Sequence, residues 1–112
     1  MQTIVPVMLN HVNAGRLSLA RMVDLMCAGP ARVYGVVGKG RLAAGYDADF
    51  TLVDMQRNRR IEESWIVSPC GWTPFAGMDI TGWPVGVIVR GRTVMRDDAV
   101  VGSPSGKLVR FG

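Results

Sequence analysis

The spacing of the apolar residues changes at Gly35, and that change decides what the chain can fold into. Before it, apolar side chains recur at helical intervals; after it, they fall in short runs between turn residues. The expected class is therefore α+β, mostly β after residue 35. Ile4, Val5, Met8 and Val12 share one helical face. Thr3 is the expected N-cap, and Pro6 is tolerated because it falls in the first turn. Asn13-Ala14-Gly15 is the expected stop, with Gly15 able to turn left-handed. Ser18 should cap a second helix whose apolar stripe is Leu19, Met22, Val23 and Met26. Gly29-Pro30 should break it, leaving residues 30–34 as one short helical turn ended by Gly35.

Beyond Gly35 the reading is of strands and turns. Gly38-Lys39-Gly40 is a turn, and Phe50–Asp54 is a strand rich in β-formers. Phe50 and Leu52 point to one face, Thr51 and Val53 to the other. Residues 58–66 are expected to hold a further short strand. Residues 68–84, with three prolines and three glycines, read as a long loop pinned by Trp72, Phe75, Met78, Ile80 and Trp83. Residues 85–96 read as a hairpin turning near Gly91. Asp97-Asp98 is a second turn, and Val100-Val101 and residues 108–111 are short terminal strands.

At 112 residues the chain is long enough for one small domain, and 48% hydrophobic with 20% charged residues is globular rather than disordered composition. No apolar run approaches the roughly 18–20 residues that cross a membrane. The opening MQTIVPVMLNHVNAG lacks the basic start and small-residue cleavage site of a signal peptide. Cys27 and Cys70 form no C-x-x-C pair, so two buried, reduced thiols are expected, with a single disulfide as the alternative. The net charge of +4 admits a second function class, a stand-alone basic module binding nucleic acid or another anion. Against it, the basic residues are scattered, and the densest group is only Arg57, Arg59 and Arg60.

The chemistry is constrained mainly by scarcity. The chain has one histidine, His11, and a lone imidazole makes neither a transition-metal site nor, without a G-x-S-x-G elbow, a serine triad. His11 is expected on a helix surface or at an interface. Asp47 and Asp49 are two residues apart just before a strand. Their expected work is structural, accepting hydrogen bonds from turn amides where the strand begins. Gly38-Lys39-Gly40 fits neither phosphate-loop pattern. Trp65, Trp72 and Trp83 with nearby arginines could stack bases, but aromatics in a Gly/Pro-rich stretch more commonly anchor it to its own domain.

Several runs resemble the cyclic amidohydrolases. They are Pro30-Ala31-Arg32-Val33-Tyr34-Gly35, then Lys39-Gly40-Arg41-Leu42, then Gly45-Tyr46-Asp47-Ala48-Asp49-Phe50 with Asp54. Pro74-Phe75-Ala76-Gly77, Gly82-Trp83-Pro84-Val85 and Ile88-Val89-Arg90-Gly91-Arg92 follow. Together with Gly71-Trp72-Thr73 they resemble the end of dihydroorotases, and less closely of allantoinases and hydantoinases. The resemblance implies that residues 1–35 are the last helices of a (β/α)8 barrel. It implies that residues 36–112 are the C-terminal share of a composite β-sandwich. The implied reaction is reversible hydrolysis of dihydroorotate to N-carbamoyl-aspartate in pyrimidine biosynthesis, by hydroxide on one or two zinc ions. The family's ligands are an H-x-H pair, a carboxylated Lys, two further His and an Asp, and they lie upstream of these motifs. No catalytic, cofactor-binding or metal-binding residue is therefore assigned to this chain, and no cofactor is expected in it. Gly29-Pro30 stands where the family pattern has Asn-Pro. The resemblance further implies a cytoplasmic enzyme. The expected partner is the N-terminal barrel portion of the same enzyme, with a homo-oligomer possible, and no nucleic acid or membrane.

Overall fold

Helix α1 (Ile4–Asn13) forms, but the side it buries carries Pro6 and Leu9 rather than the expected face: Ile4 is exposed, and Val5, Met8 and Val12 are only half-buried. A computed structural model describes all of residues 1–112. Thr3 does not cap α1. Its own backbone is already helical (φ −79°, ψ −11°), so its hydroxyl makes no bond to the free amides of the first turn. Gly15 takes the left-handed conformation expected of a stop, at φ +73°. Ser18 is a working cap, its hydroxyl accepting the Arg21 N–H at 3.1 Å.

The expected break at Gly29-Pro30 does not occur. Helices α2 (Leu19–Val23) and α3 (Gly29–Val33) run on through a π-helical turn, Asp24–Ala28. The wider turn absorbs a proline that would clash with the preceding turn of a regular α-helix. Gly29 donates its N–H to the Asp24 carbonyl five residues back. A Cβ on Gly29 would stand 2.6 Å from that oxygen, which explains a glycine here.

The sheet is antiparallel, in the order β1 (Phe50–Arg60), β2 (Asp79–Val89), β3 (Arg92–Arg96), β4 (Ala99–Val100). Two expectations change. The separate strand sought in residues 58–66 is the second half of β1, followed by a 3-10 turn at Glu63–Trp65. The expected loop of residues 68–84 ends early, because β2 already begins at Asp79. Irregular pairing lets Gly82 and Pro84 lie inside this strand: β1 bulges between Asp54 and Asn58, and the register shifts again beside Leu52 and Val53. Residues 108–111 are not a strand; Phe111 makes only an isolated bridge to Val36. Arg90-Gly91 and Asp97-Asp98 all have positive φ, the signature of tight type I′ hairpin turns.

The core lies between α1 and the first half of β2. Ile61, Ile80 and Trp83 are fully buried, with Val7, Trp65, Phe75 and Met78 packed on them. Gly82 allows the approach. Its φ is +103°, and a Cβ there would stand 2.8 Å from the Leu9 Cβ and 3.0 Å from the Asn13 amide nitrogen. Gly82→Ala is expected to cost about 2–4 kcal/mol through backbone strain and overlap together. Gly45→Ala, at φ +86° with nothing within 4 Å of the new Cβ, is expected to cost about 1–2 kcal/mol through strain alone. Urea unfolding of both variants checks this; equal losses would show that the contact between α1 and β2 is not tight.

Candidate functional site

A cleft of about 760 Å³ lies between the helix of residues 19–33 and the sheet. Leu19, Met22, Met26 and Ala31 form its helical wall; Leu52 and Val87 stand on its strand wall. The helical stripe read from sequence does face it, yet only Met22 of that stripe is buried, while Leu19 and Val23 remain about half exposed. Phe50, Leu52 and Val53 of β1 are likewise exposed on both faces of the strand.

Lys39, Asp47 and Asp49 form the polar rim of this cleft. The Lys39 ammonium lies 2.8 Å from Asp47 and 2.5 Å from Asp49. The other oxygen of Asp49 accepts the Arg90 backbone N–H at 2.8 Å, and the Ala48 carbonyl accepts the Gly91 N–H at 2.9 Å. Asp49 thus fastens the start of β1 to the turn between β2 and β3. The Lys39 hydrogen bond holds the Asp49 carboxyl below the usual range against the opposing effect of burial, and Arg90 adds to it. Lys39 is raised in return, first by Asp47 and then by Asp49.

The other candidates do not meet the cleft. The His11 imidazole lies on the last turn of α1, 3.1 Å from the Arg16 guanidinium. No three His, Cys, Asp or Glu side chains converge as metal ligands would. Arg57, Arg59 and Arg60 each face a carboxylate, Asp97, Asp98 and Asp79 respectively, so the triplet is neutralised within the fold. Trp83 is buried and Trp65 packs on it at 4.7 Å, which leaves only Trp72 outside. The Trp83 indole donates to Asp98 at 3.1 Å while Arg59 lies over its ring. Burial pushes the Asp98 carboxyl up, but Arg59 and Trp83 outweigh it and leave it below the ordinary range.

The cysteine expectation is corrected: Cys27 and Cys70 are free but exposed, not buried. Cys27 lies on the helical wall of the open cleft. Cys70 lies in a loop, where the Ser68 hydroxyl at 3.3 Å holds the thiol below its ordinary value. Sequence reasoning also missed Asn10 and Asn13. The Asn10 side chain accepts the Thr81 N–H at 3.0 Å, and the Asn13 amide donates to the Thr81 carbonyl at 2.8 Å and to Met55 at 3.1 Å. Two asparagines three apart on the buried side of a helix were the available signal.

The chain is thus a small mixed α/β unit, its helices packed on an irregular antiparallel sheet beside an apolar cleft. The amidohydrolase family matches residues 1–94, and the chain belongs to that family. It is 42% identical over 101 residues to a dihydroorotase of Methanothermobacter thermautotrophicus, covering 90% of this chain and 23% of that protein. It is 37% identical over 109 residues to a dihydroorotase of Pyrococcus furiosus, covering 97% of this chain and 26% of that protein. An L-hydantoinase of Paenarthrobacter aurescens is 41% identical over 103 residues, covering 90% and 22%. Among solved structures, L-hydantoinase from Arthrobacter aurescens superposes with a TM-score of 0.84 at 40% identity, covering 88% of this chain and 22% of that one. The chain therefore spans about a quarter of the length of the relatives it matches.

A carboxylate whose folded pKa is depressed stabilises the fold above its unfolded value, about 3.9, and the effect is lost as pH falls through the folded value. Lys39, being raised, contributes below its unfolded value, about 10.4, and is lost as pH rises through its folded value. Asp49→Asn keeps an acceptor for Arg90 but removes the charge facing Lys39. It is expected to flatten the decline in thermal midpoint between about pH 5 and pH 2. Parallel profiles for the variant and the parent would contradict the assignment.

Proposed function

We propose that these 112 residues are the C-terminal segment of a dihydroorotase-type cyclic amidohydrolase and act structurally within it. Residues 1–35 would close the enzyme's barrel, and residues 36–112 would supply part of its β-sandwich. The observation that carries this reading is uncovered surface. The accessible area is 7709 Å², against about 6,000 Å² for a folded protein of 12.1 kDa. The excess is larger than the roughly 800 Å² that one partner buries in a standard protein–protein interface. The partner that fits is the remaining portion of the same enzyme, since the relatives are about four times as long.

The similarity to dihydroorotases over 90–97% of the chain supports dihydroorotate as the substrate. A cytoplasmic enzyme of pyrimidine biosynthesis, opening the dihydroorotate ring to N-carbamoyl-aspartate, is the corresponding proposal. The L-hydantoinase match at 41% identity favours a second reading, a related cyclic-amide substrate. Zinc in the complete enzyme would supply an activated hydroxide. This chain's donors do not fit a zinc site: it has one histidine, and no three of its His, Cys, Asp and Glu side chains converge on a common centre.

The test uses the 112-residue chain and the complete reading frame side by side. The complete protein is expected to carry zinc and to hydrolyse dihydroorotate in preference to hydantoin or allantoin. The 112-residue chain is expected to bind no stoichiometric zinc and to turn over none of the three. One tightly held zinc per 112-residue chain with ring-opening activity would overturn the structural reading; preference of the complete protein for hydantoin would overturn the substrate.

A further inference from the structure

We propose that residues 102–112 form a strap that fixes the width of the apolar cleft by tying the exit of α3 to the sheet. After β4 the chain turns at Gly102 and runs back without regular structure. It is held at two places. The Arg90 guanidinium donates to the Ser105 carbonyl. Farther on, the Val37 N–H donates to the Arg110 carbonyl at 2.8 Å and the Gly112 N–H to the Gly35 carbonyl at 2.9 Å, one antiparallel bridge centred on Val36 and Phe111.

Both anchors border the cleft. Tyr34 and Val36 line it beside the bridge, and Val89 lines it beside Arg90. Gly35 is suited to the bridge: its φ is +63°, and a Cβ there would stand 2.8 Å from the Gly112 oxygen. The helical wall needs such a tie. The helix of residues 19–33 packs on α1 at its start, but α3 at its far end buries no residue. The loop of residues 38–49 makes one connection from α3 to the sheet, pinned by Lys39 and Asp49; the strap makes another, which meets the sheet at the same Arg90 through its side chain rather than its backbone.

The strap holds through its backbone. Leu108 is 99% exposed and Phe111 67% exposed, so their side chains add little packing. It is therefore separable from the core of Ile61, Ile80 and Trp83. Without it, α3 would reach the sheet through the 38–49 loop alone and the cleft would vary in width.

Deleting residues 108–112 tests this, with hydrogen exchange mapped against the full chain. The α3 amides are expected to exchange roughly tenfold faster, with α1 and the pairing of β1 with β2 unchanged. Unaltered α3 protection would overturn the proposal. So would uniform loss that includes α1 and β2, because the segment would then be part of the core rather than a strap.

Discussion

Everything else in the fold is arranged around the docking of α1 on β2 at Gly82. Most of the outer edge of β2 before Gly86 has no neighbouring strand, since β3 pairs only from Gly86 onward. An uncovered strand edge leaves backbone donors and acceptors unpaired. Here a helix takes the place of a strand: Asn10 and Asn13, one turn apart, supply an acceptor and a donor to the backbone of Thr81. The geometry works only because residue 82 has no side chain to hold Leu9 away. The same amide of Asn13 reaches the Met55 carbonyl, where β1 bulges. One helix face therefore secures the edge of β2 and the irregularity of β1 together.

The parts of the fold legible in sequence are those decided locally. Ser18 caps α2 because a hydroxyl before an apolar helix has amides within reach, and Gly15 stops α1 because it alone turns left-handed there without cost. The turns at Arg90-Gly91 and Asp97-Asp98 were legible for the same reason. What misled was context. Gly82 and Pro84 read as loop residues, but bulged pairing with β1 and a helix on the outer edge admit both to a strand. Pro30 read as a helix break, but a π turn with a glycine before it makes room. The cysteines read as buried because free thiols usually are; burial depends on what covers the helix and loop that carry them, and a single sequence does not show that.

The site was legible to a different degree. Asp47 and Asp49 were read as structural carboxylates serving turn amides, and Asp49 does serve one. That amide belongs to Arg90, far along the chain, and the charge opposite is Lys39, which sequence had treated only as part of a turn. Periodicity identified the apolar residues that line the cleft, but it carries no information on whether a stripe is buried. Leu19 and Val23 fit the helical pattern as well as Met22 does, and only Met22 is covered.

The polar and apolar ledgers of this chain do not match, and the mismatch is informative. Every buried side-chain polar atom has a hydrogen-bond partner. The hairpins are closed by suitable turns, and the carboxylates at the rim and beneath Trp83 face cations. Such satisfaction is typical of a finished structure. Apolar burial is not finished: 11 of 112 residues are buried, and the radius of gyration is 14.8 Å where about 13 Å is usual for this length. Hydrogen bonds and ion pairs contribute little net stability in water, whereas apolar burial is the main favourable contribution. A chain whose buried polar side chains are all paired but whose apolar cover is incomplete has its shape specified by its own residues, and further apolar cover over the cleft would add most to its stability.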